Sequence, residues 1–153
     1  MSPASKPSTG GHRAVVPCAG CGKKNRVPVV ASGTPRCAAC HEALPWLVEA
    51  TEADFAVALR TTVPVLVDLW APWCGPCRQV APLLQRAAAE RAGSLKVVKV
   101  NVDVAPGISR RYGVQGIPTM LVLRDGKEVG RQVGALGEAA LRNWLDSVAP
   151  GKA

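Results

Sequence analysis

The sequence predicts an α/β fold: a mixed central sheet flanked by helices, preceded by a small ribbon stapled by metal. Three observations carry this. From Trp46 onward, short apolar runs alternate with amphipathic stretches, as expected when strands and helices pack in layers around one sheet. Before Trp46 stand two Cys-x-x-Cys pairs in about 30 residues, too short a segment to fold on apolar burial alone. Finally, 153 residues that are 48% hydrophobic suffice for one core of about 100 to 110 residues with a small appendage, and not for a second full domain.

The elements follow in chain order. Residues 1–13 are Ser-, Pro-, Gly- and Thr-rich and read as a disordered extension with nothing to pack. Residues 14–45 form the ribbon, in which runs such as Val27 to Val30 are expected to pair and Gly22, Gly33 and Pro35 mark turns. Residues 46–150 form the second unit. There Trp46 to Glu49 reads as a short strand, and Thr51 is expected to cap a helix that carries Phe55, Ala58 and Leu59 on one face. Val63 to Trp70 is nearly all apolar, as in a central strand buried on both faces. Cys74 to Arg91 reads as a helix interrupted by Pro82, and Leu95 to Val102 as a second buried strand. Pro106 to Tyr112 is a short helix with Gly113 just beyond it. Thr119 to Leu123 and Glu128 to Val133 flank an Asp125-Gly126 turn and read as a hairpin. Leu141, Trp144, Leu145 and Val148 mark a closing amphipathic helix.

The six cysteines sort into three Cys-x-x-Cys pairs with none left over. Cys18/Cys21 and Cys37/Cys40 are separated by fifteen residues, the spacing of a structural zinc site in which four thiolates close a tetrahedron and leave no open position. Arg36 to His41 also fits the Cys-x-x-Cys-His pattern of haem attachment, but that would strip Cys18 and Cys21 of their partners. Cys74/Cys77 stands where an apolar strand ends and a helix begins. There the positive end of the helix dipole favours the Cys74 thiolate, while Cys77, one turn further in, is placed to attack a mixed disulfide. Gly75 allows the turn and Pro76 fits a first helical turn. Of the bland alternatives, a second metal site lacks further ligands, since the other four cysteines already form a set, and two inert core thiols would not need the strand-turn-helix context in which this pair stands.

Ala71-Pro72-Trp73-Cys74-Gly75-Pro76-Cys77 resembles the active-site signature of the thioredoxin family, Gly116-Ile117-Pro118-Thr119 its cis-proline loop, and Val133 to Leu136 the segment completing its substrate groove. The likeness covers about Trp46 to Val148, and with the four-cysteine ribbon it extends to the zinc-containing bacterial thioredoxins of the thioredoxin 2 type. It implies a protein-disulfide reductase in which Cys74 attacks and Cys77 resolves. Asp68, a charge inside the strand run Val65 to Trp70, is costly there unless its proton affinity rises. By resemblance it is the aspartate that deprotonates the resolving thiol, with Lys99 as its partner; an Asp reaching solvent at a strand end is the alternative. The resemblance further implies a flat apolar ledge of Trp73, Ile117, Pro118, Gly134 and Ala135 around Cys74, on which extended polypeptides dock with little side-chain selectivity. The Gly-Pro pair between the cysteines resembles that of reducing members, with potentials near about −270 mV, and implies recharging by the NADPH-dependent flavoenzyme thioredoxin reductase. Zn²⁺ is the one cofactor expected, as a fold staple or as part of an oxidant sensor.

Charge and hydropathy narrow the setting. The net charge of +8 is uneven: residues 1–45 hold six Lys/Arg against Glu42 alone, and residues 46–153 thirteen against ten acids. Residues 1–45 contain no Phe, Tyr or Trp on which a base could stack, so a solvated basic surface is expected in place of a nucleic-acid site. No stretch approaches the roughly 18 apolar residues of a membrane span, and no apolar leader follows Met1. A cytoplasmic monomer acting on oxidised proteins is the resulting expectation, with a binding-only zinc ribbon and a thiol oxidase or isomerase as rivals.

Overall fold

The computed structural model describes residues 14–31 and 33–150, and the expected 1–13 extension lies outside them. Two antiparallel strands, β1 (Ala14–Pro17) and β2 (Lys24–Val27), open the chain. The ladder stops at Val27 and does not run on to Val30, because Pro28 has no N–H to donate. Val29 turns inward instead, where it is buried.

The larger sheet holds five strands in the order β3-β5-β4-β6-β7. These are β3 (Leu47–Glu49), β4 (Val65–Trp70), β5 (Lys96–Asn101), β6 (Thr119–Arg124) and β7 (Lys127–Val133). The first three run parallel, and β6 and β7 antiparallel. Every residue of β4 from Val65 to Leu69 is buried, the burial on both faces that its apolar run required. Three helices lie between the strands, α1 (Phe55–Ala58), α2 (Gly75–Glu90) and α3 (Pro106–Arg111), and α4 (Glu138–Val148) follows β7. Pro82 sits inside α2, where its missing N–H leaves the Arg78 carbonyl without its helical donor.

One expected cap is corrected. Thr51 does not cap α1, which begins four residues later at Phe55, behind Asp54. The Asp54 carboxylate, a stronger acceptor than a hydroxyl, instead takes the Thr51 N–H (2.6 Å) and Oγ1–H (3.0 Å) and folds the intervening loop back on itself.

Alternation along the strands divides the core. On one face Leu66, Val97, Met120 and Val122 meet Val80, Leu84 and Leu145 of α2 and α4. On the other, Val67, Leu69, Val98 and Leu121 join Phe55 and Ile108, and this cluster continues without a break into Val27, Val29, Cys37 and Leu44 of the ribbon. On this second face Trp46 and Lys96 join the ribbon to the sheet. The Trp46 indole N–H donates to the Pro28 carbonyl (2.8 Å). The Lys96 ammonium lies 4.3 Å from the Trp46 ring centroid and donates to the carbonyls of Val29 and Ala58.

Candidate active site and candidate metal centre

Past Trp70 the chain turns through Ala71 to Trp73, and the Cys74 N–H closes the turn on the Ala71 carbonyl (3.2 Å). Cys74 is the N-cap of α2, with extended backbone (φ −88°, ψ 110°), and its sulfur accepts the Cys77 N–H at 3.2 Å. Pro76 occupies the first turn, where no helical acceptor is lost. Cys74 and Cys77 are joined as a disulfide with Cα atoms 5.3 Å apart. Both are buried against Ala71, Trp70, Val102 and Ile117.

The opposite wall comes from the loop before β6. The Ile117 carbonyl lies 3.8 Å from Cys74 Sγ, and the Ile117–Pro118 peptide is cis. The Pro118 carbonyl accepts the Gly134 N–H (2.8 Å). Gly134 has φ +92°, a conformation that a side chain would strain. Ala135 is exposed beyond it. Trp73 is 66% exposed and shares its indole N–H between the two carboxylate oxygens of Asp103 (3.1 and 3.2 Å). A shallow cleft of about 200 Å³ runs between Trp73, Val114 and Ile117.

Asp68 lies in the centre of the sheet, in register with Lys99 on β5 and Met120 on β6. It is 1% exposed, and neither carboxylate oxygen has a hydrogen-bond partner among the described residues. Burial pushes its carboxyl up to about 6, against the pull of the Lys99 charge and with a smaller push from Glu49. Lys99 stands beside Asp68 in register but forms no ion pair with it among the described residues. Its ammonium sits 4.7 Å from the Trp70 ring centroid instead.

At the ribbon end, the sulfurs of Cys18, Cys21, Cys37 and Cys40 all lie within 4.8 Å of one another. Cys18–Cys40 and Cys21–Cys37 are 3.5 and 3.6 Å apart, close to the edge of about 3.8 Å of a tetrahedron with metal–sulfur bonds of about 2.3 Å. Two equivalent turns present them. In each, the N–H of the residue after the second cysteine returns to the carbonyl of the first: Gly22 to Cys18 and His41 to Cys37, both 2.9 Å. His41 takes φ +65° where Gly22 takes +78°; it is an exposed turn residue, and its neighbours Cys37 and Cys40 share one cluster with Cys18 and Cys21, which removes the haem pattern's support. The backbone N–H of Cys40, with smaller help from the backbone N–H of Ala39, the side-chain amide of Asn25 and the neighbouring Cys21 sulfur, outweighs burial and brings the Cys37 thiol down to about 6. Cys40, despite the N–H of Glu42, is pushed up to about 12 by its sulfur neighbours, Cys18 first. Four sulfurs held this close together become thiolates together only around a cation, so the cluster suits a metal ion.

A family model described as Thioredoxin matches residues 46–147. The chain belongs to the thioredoxin family. Its thioredoxin domain is 48% identical over 104 residues to the thioredoxin of Mycobacterium tuberculosis, covering 67% of this chain and 90% of that protein. It is 46% identical over 97 residues to thioredoxin 1 of Synechococcus elongatus, covering 63% and 91%. A bifunctional thioredoxin reductase/thioredoxin of Mycobacterium leprae is 47% identical over 104 residues, which are 67% of this chain and 23% of that protein. Family membership and this level of identity make the chain a protein-disulfide reductase of the thioredoxin type. No helix among the described residues is long and apolar enough to cross a membrane.

Two residues of these sites escaped the sequence. Asp103, anchored through its own N–H to Asn101 Oδ1 (2.9 Å), fixes Trp73 from thirty positions away. Asn25, 8% exposed, donates to Cys37 Sγ (3.5 Å) and the Lys23 carbonyl (2.9 Å) and accepts the Ala38 N–H (3.0 Å). Its only sequence signal is an amide placed between two cysteine pairs.

Proposed function

We propose that the chain is a zinc-containing thioredoxin of the thioredoxin 2 type, a cytoplasmic monomer with a ribbon at 14–45 and a thioredoxin domain at 46–150. The observation that carries the reaction is the Cys74–Cys77 disulfide at the start of α2, with the Cys77 N–H on Cys74 Sγ. In the reduced protein that N–H and the helix dipole stabilise a Cys74 thiolate. The thiolate attacks one sulfur of a target disulfide; a Cys74–target bond forms, the target S–S bond breaks, and the other target sulfur leaves as thiolate. Asp68 then takes the proton of Cys77, whose sulfur attacks Cys74 Sγ, forms the Cys74–Cys77 bond and releases the second target thiolate. Two electrons pass from the dithiol to the target. A thioredoxin reductase returns them, a pairing suggested by the fused relative.

Trp73, Ile117, Pro118, Gly134 and Ala135 form the docking ledge for an extended target. Cys18, Cys21, Cys37 and Cys40 would hold Zn²⁺, which closes the ribbon structurally and leaves no coordination position for catalysis. Insulin-disulfide reduction by Cys74→Ser tests the central claim. Turnover should fall to the uncatalysed rate; activity that persists would return the domain to the role of a scaffold.

A further inference from the structure

The register of the three parallel strands sets Glu49, Lys99 and Asp68 side by side. Glu49 pairs with Lys99 between β3 and β5, and Lys99 with Asp68 between β5 and β4. Leu47, Val97 and Leu66, each two residues earlier on the same strands, pack in one cluster under α2 and α4. All three charged side chains therefore belong to that same face. Along the row, exposure falls from an exposed carboxylate at Glu49, through a half-buried ammonium at Lys99, to the buried, unpartnered carboxylate of Asp68. Lys99 is engaged by the Trp70 ring and pairs with neither acid among the described residues.

We propose that Glu49 is a positioning residue for the disulfide exchange, opposing Lys99 from the solvent end of this row and so keeping Asp68 a competent proton acceptor for Cys77. This rests on the role given to Asp68 above. A cation confronting Asp68 alone would hold it as carboxylate at a lower pH and weaken it as a base, and a second anion on the far side of the cation offsets that pull. Glu49 does raise the Asp68 carboxyl, alongside the larger effect of burial. Among the described residues the remaining neighbours add no other charge. Met120 faces Asp68 from β6, the buried face of α2 brings only Cys77 as a titratable group, and α4 buries Leu141 and Leu145.

Two strand spacings of about 4.8 Å separate Glu49 from Asp68. At that range a unit charge in partly aqueous surroundings shifts a titration by on the order of 0.5 pH unit, less as salt screens it. The test is Glu49→Gln in the full chain, with the Asp68 carboxyl titrated by carbon NMR in the oxidised protein and insulin reduction measured against pH. The Asp68 midpoint should fall by about 0.5 pH unit at low salt and return towards wild type in Glu49→Asp. The acidic limb of the rate profile should move the same way, and Glu49→Gln should change nothing further in an Asp68→Asn background. An unmoved midpoint, or a moved midpoint with an unmoved rate profile, overturns the proposal alone. Full turnover by Asp68→Asn would instead overturn the role of Asp68, and the proposal with it.

Discussion

The Cys77 backbone N–H reaches Cys74 Sγ across 3.2 Å, so the residue we propose as the resolving one supports its partner's sulfur through its backbone while its own side chain lies behind, 3% exposed. This divides the labour between them. Cys77→Ser keeps the N–H and removes the second sulfur, so the first exchange should proceed and the second cannot. Incubation with an oxidised protein should accumulate a target joined to the enzyme through Cys74, seen as a heavier band on non-reducing gels and cleared by dithiothreitol. Free target thiols appearing at the wild-type rate would contradict the assignment.

Asp68 makes stability depend on pH. Its carboxyl titrates near 6 in the native protein and near 3.9 in an unfolded chain. Below about pH 4 both states hold the proton and the site costs nothing; between about 4 and 6 only the native state holds it, so stability falls as pH rises; above 6 the whole cost is present. Asp68→Asn removes the titration. The stability of the variant relative to wild type should grow by about 2 kcal/mol between pH 4 and pH 7.5, measured by guanidinium unfolding of the oxidised form. A difference that is flat across that range would mean that Asp68 titrates normally.

Lys96 ties the ribbon to the sheet. Its ammonium is fully buried, donating to the carbonyls of Ala58 (2.6 Å) and Val29, and burial brings it down to about 8 despite support from Asp54. Lys96→Met preserves the length of the side chain but leaves two buried carbonyls without donors, each costing about 1 to 3 kcal/mol. Trp46→Phe keeps most of the ring and loses one bond to Pro28, a cost of about 1 kcal/mol. Amide exchange in residues 24–30 should quicken more in Lys96→Met than in Trp46→Phe, while β4 and β6 stay protected. Equal protection of residues 24–30 in both variants and wild type would show that the ribbon is held by its apolar contacts alone.

Local chemistry was legible in the sequence because it is written in adjacent residues. Strand and helix periods from Val65 to Glu90, the Cys74 junction and the two cysteine pairs each need only a few neighbouring letters. Contacts between distant segments were not. Lys96 reads as an ordinary polar start to a strand, and nothing near it announces a carbonyl 67 positions earlier. Lys99 beside Asp68 followed from the family resemblance, whereas its seat on Trp70 and the place of Glu49 at the end of the row depend on strand order, which periodicity leaves open. Thr51 was misassigned because cap residues are common in loops, and here Asp54 competes for the same donors.

Asn25 gives the metal centre a test separate from its four sulfurs. Its amide N–H is shared between Cys37 Sγ and the Lys23 carbonyl, while its carbonyl holds the Ala38 N–H at the second knuckle, so one buried side chain orients a thiolate and locks the loop that presents it. Such outer contacts typically carry 10- to 100-fold in metal affinity. The full chain should release one zinc per molecule to a chromogenic chelator after the thiols are blocked, and none when Cys37→Ser is purified the same way. In competition with a chelator of known affinity, Asn25→Ala should hold zinc 10- to 100-fold more weakly, with insulin reduction by Cys74 and Cys77 little changed, since no hydrogen bond among the described residues joins Asn25 to that corner. Unaltered zinc affinity in Asn25→Ala would mean that the backbone N–H groups of Ala39 and Gly20, at 3.4 Å from Cys37 and Cys18, suffice to orient the thiolates.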